Sequence, residues 1–243
     1  MIKFFRKIRQ KLLSENRFSK YLIYAIGEIV LVVIGILIAL QINNANEIKK
    51  TKDKEIVLLN EMKSNLQMDL KDLEFNKENN KIRIQSNEVI RKVIEQKLLY
   101  NDTLKTHFGN FFGNFQLSEN TSAWENLKSV GLDLISNDSL RKNISNLYSN
   151  QYEYLENLEK GLDDRYHWDY LYPQVLEHIV LDELWVSGKP QNYDEWINDV
   201  EFYEVLKMNL KWRYYMQNQY EQNYQSVQTL KEQIDKHLKA LNK

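Results

Sequence analysis

Residues 21–40 read YLIYAIGEIVLVVIGILIAL, twenty residues whose only charged side chain is Glu28. At about 1.5 Å per residue they make roughly 30 Å of helix, the thickness of a bilayer's hydrocarbon core. The stretch therefore reads as one uncleaved span. A secretory signal peptide has a shorter apolar core and a small-residue cleavage site, and QINNANE after Leu40 offers none. The flanks give direction. Residues 1–20 hold seven Lys and Arg against Glu15 alone, whereas the other flank has Lys49, Lys50, Lys52 and Lys54 among Glu47, Asp53 and Glu55. Basic residues gather on the cytoplasmic side, so the N-terminus is expected in the cytoplasm and the remainder exported.

This divides the 243 residues into a basic amphipathic cytoplasmic segment at 1–20, a transmembrane helix at 21–42 and an extracytoplasmic domain at 43–243. Ile2, Phe5, Ile8 and Leu12 share a helical face in the first segment, as in a helix lying on an anionic leaflet. A simple topology signal would read the same way. The whole-chain charge is −1, and the part beyond residue 44 carries −6. A mildly acidic domain lacks the basic face that nucleic acid requires. With no cysteine, disulfides, thiolate catalysis and cysteine-bound metals are excluded. Two prolines and seven glycines suit a chain of long helices.

Within the span, 100° per residue puts Ala25, Glu28, Val32, Gly35 and Ala39 on one face. Small residues there admit another helix, and a carboxyl group in hydrocarbon must be protonated, paired or facing water. The readings are helix association, with itself or another membrane protein; a proton or ion pathway; or a carboxylic acid kept neutral. The partners expected are membrane lipid and a second membrane helix.

The run MIKFFRKIRQKLL, followed by FSKYLIYAIGEIVLVVIGILIALQINN, resembles the N-terminal signature of a family of uncharacterised single-pass membrane proteins common in flavobacteria and other Bacteroidota. Residues 127–148, LKSVGLDLISNDSLRKNISNLY, resemble that family's other recurrent segment. The resemblance implies an envelope protein with its larger part in the periplasm, and no activity.

Beyond the span no glycine or proline occurs between Gly35 and Gly109, so the membrane helix is expected to continue outward. Leu59, Met62, Leu66, Leu70 and Leu73 form a buried stripe; NKENN at 76–80 interrupts it, and Ile82, Val89, Val93 and Leu98 resume it. A kink is expected near that interruption. Next comes FGNFFGNF, whose Phe108, Phe111, Phe112 and Phe115 form either an exposed partner-binding loop or a cap folded onto the core. Ser122 and Glu125 have the spacing of a capping box, and Gly131 can end that helix. Asn137 opens a longer helix with Leu140, Ile144, Leu147, Leu155, Leu158 and Leu162 on one side. Tyr172-Pro173 is expected to force a break or a new first turn, followed by a shorter helix to about Val186 and a loop at SGKPQNYD. A final helix from Asp199 carries Val205, Met208, Trp212, Met216, Tyr220, Tyr224, Val227, Leu230, Ile234, Leu238 and Leu241. The fold class is all-α: the transmembrane helix continuing into an elongated antiparallel bundle.

The best candidate for chemistry is the patch Asp163, Asp164, His167, Asp169, Glu177, His178 and Asp182. Helical spacings of three and four suit metal ligands, yet no Glu-x-x-His pair or H-E-x-x-H helix is present, so solvated helix faces explain it as well. The aromatic clusters at 165–172 and 212–224 suit either sugar stacking or a core. No cofactor signature occurs. The sequence thus supports a non-enzymatic adaptor, sensor or assembly subunit, with a membrane-anchored periplasmic hydrolase or metal enzyme built on His167 and His178 as the alternative.

Overall fold

The computed structural model describes Gln10 and residues 18–242. It divides into two compact units, Met1–Lys54 and Glu55–Lys243. The basic amphipathic segment expected at 1–20 lies almost wholly outside the described residues. Helix α1 runs from Phe18 to Gln96 as one element, without the break expected at 76–80. In the first unit, every α1 residue from 29 to 54 is exposed.

In the second unit α1 is the spine of a bundle. Twelve of its buried positions from Glu55 to Ile94 form a row that steps alternately by four and three, 55, 59, 62, 66, 69, 73, 76, 80, 83, 87, 90 and 94, and 58, 65, 70, 77, 86 and 93 are buried beside it. That repeat keeps one stripe facing its neighbours along the whole helix. NKENN does not break the helix: Asn76, Lys77 and Asn80 are all buried against the bundle, and Asn80 donates to the Arg213 carbonyl at 2.7 Å. Lys77 pairs with Glu74 at 3.1 Å and Glu221 at 2.8 Å.

After α1, a 3-10 turn and α2 (Lys105–Asn110) lead into an extended strap at 111–121, then α3 (Ser122–Val130). Helix α4 covers residues 138–178, α-helical turns alternating with π-helical turns at Leu147–Tyr152, Asn157–Asp163 and His167–Leu171. A hairpin of β1 (Ile179–Glu183) and β2 (Ser187–Pro190) follows. The short α5 (Tyr193–Trp196) precedes α6 (Val200–Leu241).

Pairings along α1 give the directions. His237 meets Glu55 at 2.9 Å and Tyr203 meets Glu95 at 2.7 Å, so α6 runs antiparallel to α1. Ser136 bonds to Glu55 at 2.8 Å just before α4 begins, and Tyr152 to Asp69 at 2.7 Å, so α4 runs parallel to α1. The chain between α1 and α4 makes the return journey.

Two apolar clusters fill the bundle. One joins Leu59, Met62, Leu66 and Leu73 to Ile144, Leu155, Met216, Val227 and Ile234. The other joins Ile90 and Val93 to Phe108, Phe111, Trp196 and Phe202.

Several local expectations are corrected. Ser122 caps nothing: its hydroxyl accepts from Asn65 at 2.8 Å and donates to Glu61 at 3.2 Å, while Thr121 holds the N-cap position of α3 without a side-chain hydrogen bond. At Pro173 the second of the two expected outcomes holds: after a π turn the proline lies in the first turn of a new α segment, and α4 continues through it. Residues 179–190, expected as helix and loop, form the hairpin, with Ile179 opposite Pro190 and Leu181 opposite Gly188. Pro190 fits there because a two-stranded ribbon has only edges. Gly109 seats it on α2: a Cβ at that position would stand 2.3 Å from the Ser187 nitrogen.

Candidate functional site

A belt of polar side chains lies within the helix stripes between the two apolar clusters. Asn80, Arg83 and Asn87 supply it from α1, Glu159, Asp163 and His167 from α4, and Asn209 and Arg213 from α6, each at most 3% exposed. The strap explains most of them. An extended segment against a core has no helix ladder to satisfy its backbone, so side chains must do so. Asn87 and Asn209 donate to the Phe111 carbonyl at 2.6 and 2.8 Å. Arg83 Nε donates to the Gly113 carbonyl at 2.7 Å, and Tyr220 to the Phe115 carbonyl at 2.8 Å. The Leu117 amide donates to both Glu159 oxygens, at 3.0 and 3.1 Å. Further along, the Ser118 amide donates to Asp72 at 2.7 Å and the Asn120 amide to Asp69 at 2.8 Å. From Phe111 to Leu117, every second residue is held by a belt side chain or Tyr220.

The charged members are Asp163, Arg213 and Arg83. Arg213 Nη2 donates to Asp163 Oδ1, and His167 Nδ1 donates to the Asp163 carbonyl at 2.9 Å. Burial works to raise the Asp163 carboxyl, but the Arg213 guanidinium and His167 outweigh it and hold the group below its ordinary value. Burial, assisted by the like charge of Arg213, lowers Arg83 to about 10. Glu159 goes the other way: burial pushes its carboxyl up to about 8 against the hydrogen bond from Leu117. Belt geometry thus supplies hydrogen bonds and charge pairing inside a closed core.

The sequence-predicted patch disperses. Asp163 and His167 are buried in the belt, and Asp164 accepts from Asn114 at 2.7 Å and Gln116 at 2.6 Å. Asp169 lies beside Arg165 at 3.4 Å, His178 turns to Asp199 at 3.4 Å, and Glu177 and Asp182 are exposed. Among the described residues, no three His, Asp or Glu side chains converge as metal ligands would.

Of the two alternatives for the phenylalanine loop, the structure has the cap folded onto the core. Phe108, Phe111 and Phe112 are at most 2% exposed, and Phe115 is half-buried over the Arg83 guanidinium at 4.5 Å. Burying aromatic rings is strongly favourable, and Phe108, Phe111 and Phe112 join the second apolar cluster rather than forming an exposed tip. On the helix face expected to meet another helix, Val32, Gly35 and Ala39 are exposed, and Ala25 and Glu28 are half-exposed.

Sequence reasoning missed Asn80, Arg83, Asn87, Asn209 and Arg213. It followed apolar residues, placing Ile82 and Met208 on the stripes, whereas both are nearly half-exposed. A signal was present: extending the four-three repeat of Leu59–Leu73 lands on 76, 80, 83, 87, 90 and 94, four of them polar.

Belt and bundle define an all-helical strapped domain on a chain whose first helix is long and apolar enough to cross a membrane, with mean hydropathy 2.7 over a stretch of which none is buried. Residues 28–168, more than half of the chain, match the family of unknown function DUF6090, and the protein belongs to that family. No curated protein and no solved structure matches the chain.

Proposed function

We propose that the protein is a non-enzymatic, single-pass protein of the bacterial inner membrane, with its N-terminus cytoplasmic and the Glu55–Lys243 bundle periplasmic. It acts as an adaptor, sensor or assembly subunit through helix contacts, made by the face Ala25, Glu28, Val32, Gly35 and Ala39. One observation carries this reading: from residue 29 to residue 42 an unbroken apolar helix is exposed on all sides. Such a surface is stable only against lipid or another helix. The charge asymmetry of the flanks supports the orientation, seven basic residues before the span against four after it.

Glu28 gives the contact a chemical handle. Gln at position 28 still hydrogen-bonds and Leu does not. Membranes carrying wild type, Glu28→Gln and Glu28→Leu are compared by crosslinking and by native mass measurement of the extracted protein. Association, with itself or a co-purifying membrane protein, is expected to survive in Glu28→Gln and to weaken in Glu28→Leu. Equal association in all three removes Glu28 from the interface. A reporter fused after Lys243 is expected to be active only in the periplasm; cytoplasmic activity overturns the orientation.

A further inference from the structure

Within the Glu55–Lys243 unit, several polar atoms are left over at the charged part of the belt. Asp163 Oδ2, Arg213 Nε, His167 Nε2 and Asn209 Oδ1 have no hydrogen-bond partner among the described residues, and none of the four residues is more than 1% exposed. They belong together. Arg213 Nη2 donates to Asp163 Oδ1, His167 Nδ1 lies 3.4 Å from the same oxygen, and Asn209 stands one turn from Arg213 on α6. The backbone is adapted here too. The π turns Asn157–Asp163 and His167–Leu171 end and begin at these residues. The His167 amide donates only three residues back, to Asp164, and the Asp163 carbonyl takes the imidazole Nδ1 instead. Such π turns recur at functional sites, and buried polar atoms are rarely left unbonded.

Donor and acceptor roles narrow the ligand. Because Nδ1 donates to a carbonyl, Nε2 of the neutral His167 ring is an acceptor. Because Asn209 Nδ2 donates to Asn87 and to the Phe111 carbonyl, its Oδ1 is the free atom. Three acceptors and one donor thus need partners, which leaves no role for an anion. Arg83 and Arg213 against Asp163, with Glu159 protonated below about pH 8, leave the belt net positive, which opposes a cation. A small neutral molecule that both donates and accepts meets both conditions. We propose that this cluster holds buried water as two mutually bonded molecules, one between Asp163 Oδ2 and Arg213 Nε, the other donating to His167 Nε2 and Asn209 Oδ1. Each then makes about three hydrogen bonds, the usual number for an internal water. The inference does not depend on the membrane reading.

A crystal structure of the detergent-solubilised full-length protein, at a resolution that shows water, is expected to place density about 2.7–3.2 Å from both Arg213 Nε and Asp163 Oδ2. A direct bond between those two atoms, with no density beside them, overturns the site. In solution, oxygen-17 relaxation dispersion counts waters held longer than the molecule takes to tumble. His167→Phe keeps a ring of similar size and removes the Nε2 acceptor, and is expected to lose at least one long-lived water relative to wild type. Glu204→Gln, on the exposed face of α6, is expected to lose none. Equal counts in wild type and His167→Phe overturn the second water.

Discussion

Arg213 and Asp163 form a charge pair 1% and 0% exposed, and the consequence for stability is asymmetric. Removing one partner leaves the other ionised in the core, which costs about 3–5 kcal/mol, although the intact pair contributes little over an apolar substitute. Arg213→Met is therefore expected to lower the unfolding midpoint strongly. The double variant Arg213→Met with Asp163→Asn is expected to lose clearly less than the two single losses combined, and simple additivity in denaturant melts contradicts the pairing. Glu159 links the core to pH. Its carboxyl rises from an ordinary 4.5 to about 8 on folding, so the folded state binds the proton more tightly. The stabilisation is complete below pH 4.5 and disappears as pH climbs through 8, a change on the order of a few kcal/mol. Denaturation midpoints are expected to fall from pH 5 to pH 8 in wild type. Glu159→Gln keeps an acceptor for the Leu117 amide and is expected to flatten that slope; an unchanged slope assigns the pH dependence elsewhere.

Elements show how far composition and periodicity reach. The helical character of α1, α4 and α6 was legible because apolar residues recur every three or four positions. Asn137 and Asp199 were legible as helix starts because their side chains do accept from the amides of Leu140 and Phe202, at 2.9 and 2.8 Å. The belt was not legible, since Asn80 or Arg213 alone reads as a solvated residue. Only the strap, distant in sequence, turns them inward. The candidate metal patch failed for the same reason: helical spacing paired Asp164 with His167 but said nothing of Asn114 and Gln116, which claim the Asp164 carboxylate from the strap. The hairpin was hidden because Val180, Leu184, Trp185 and Val186 read as apolar helix, while its seat depends on a missing side chain at Gly109. Gly109→Ala drives a methyl into the backbone of β2 and is expected to destabilise the protein by about 1–3 kcal/mol. A melting temperature equal to wild type contradicts the tight approach of α2 to the hairpin.

For the whole molecule, α1 carries both the exposed apolar stretch and the core stripe of the bundle, so one helix holds the chain's two defining surfaces. Among the described residues, every α1 position from 29 to 54 is exposed. The central claim is that this stretch lies in a membrane and presents one face to another helix. The chain has no cysteine, so single substitutions to cysteine at each position from 22 to 42 report without background. Oxidative crosslinking in native membranes is the most direct measurement. Yields are expected to peak at positions 25, 28, 32, 35 and 39, with troughs between them, in protein that resists alkaline extraction from the membrane. Uniform yields around the helix, or release of the protein by alkali, would contradict the account.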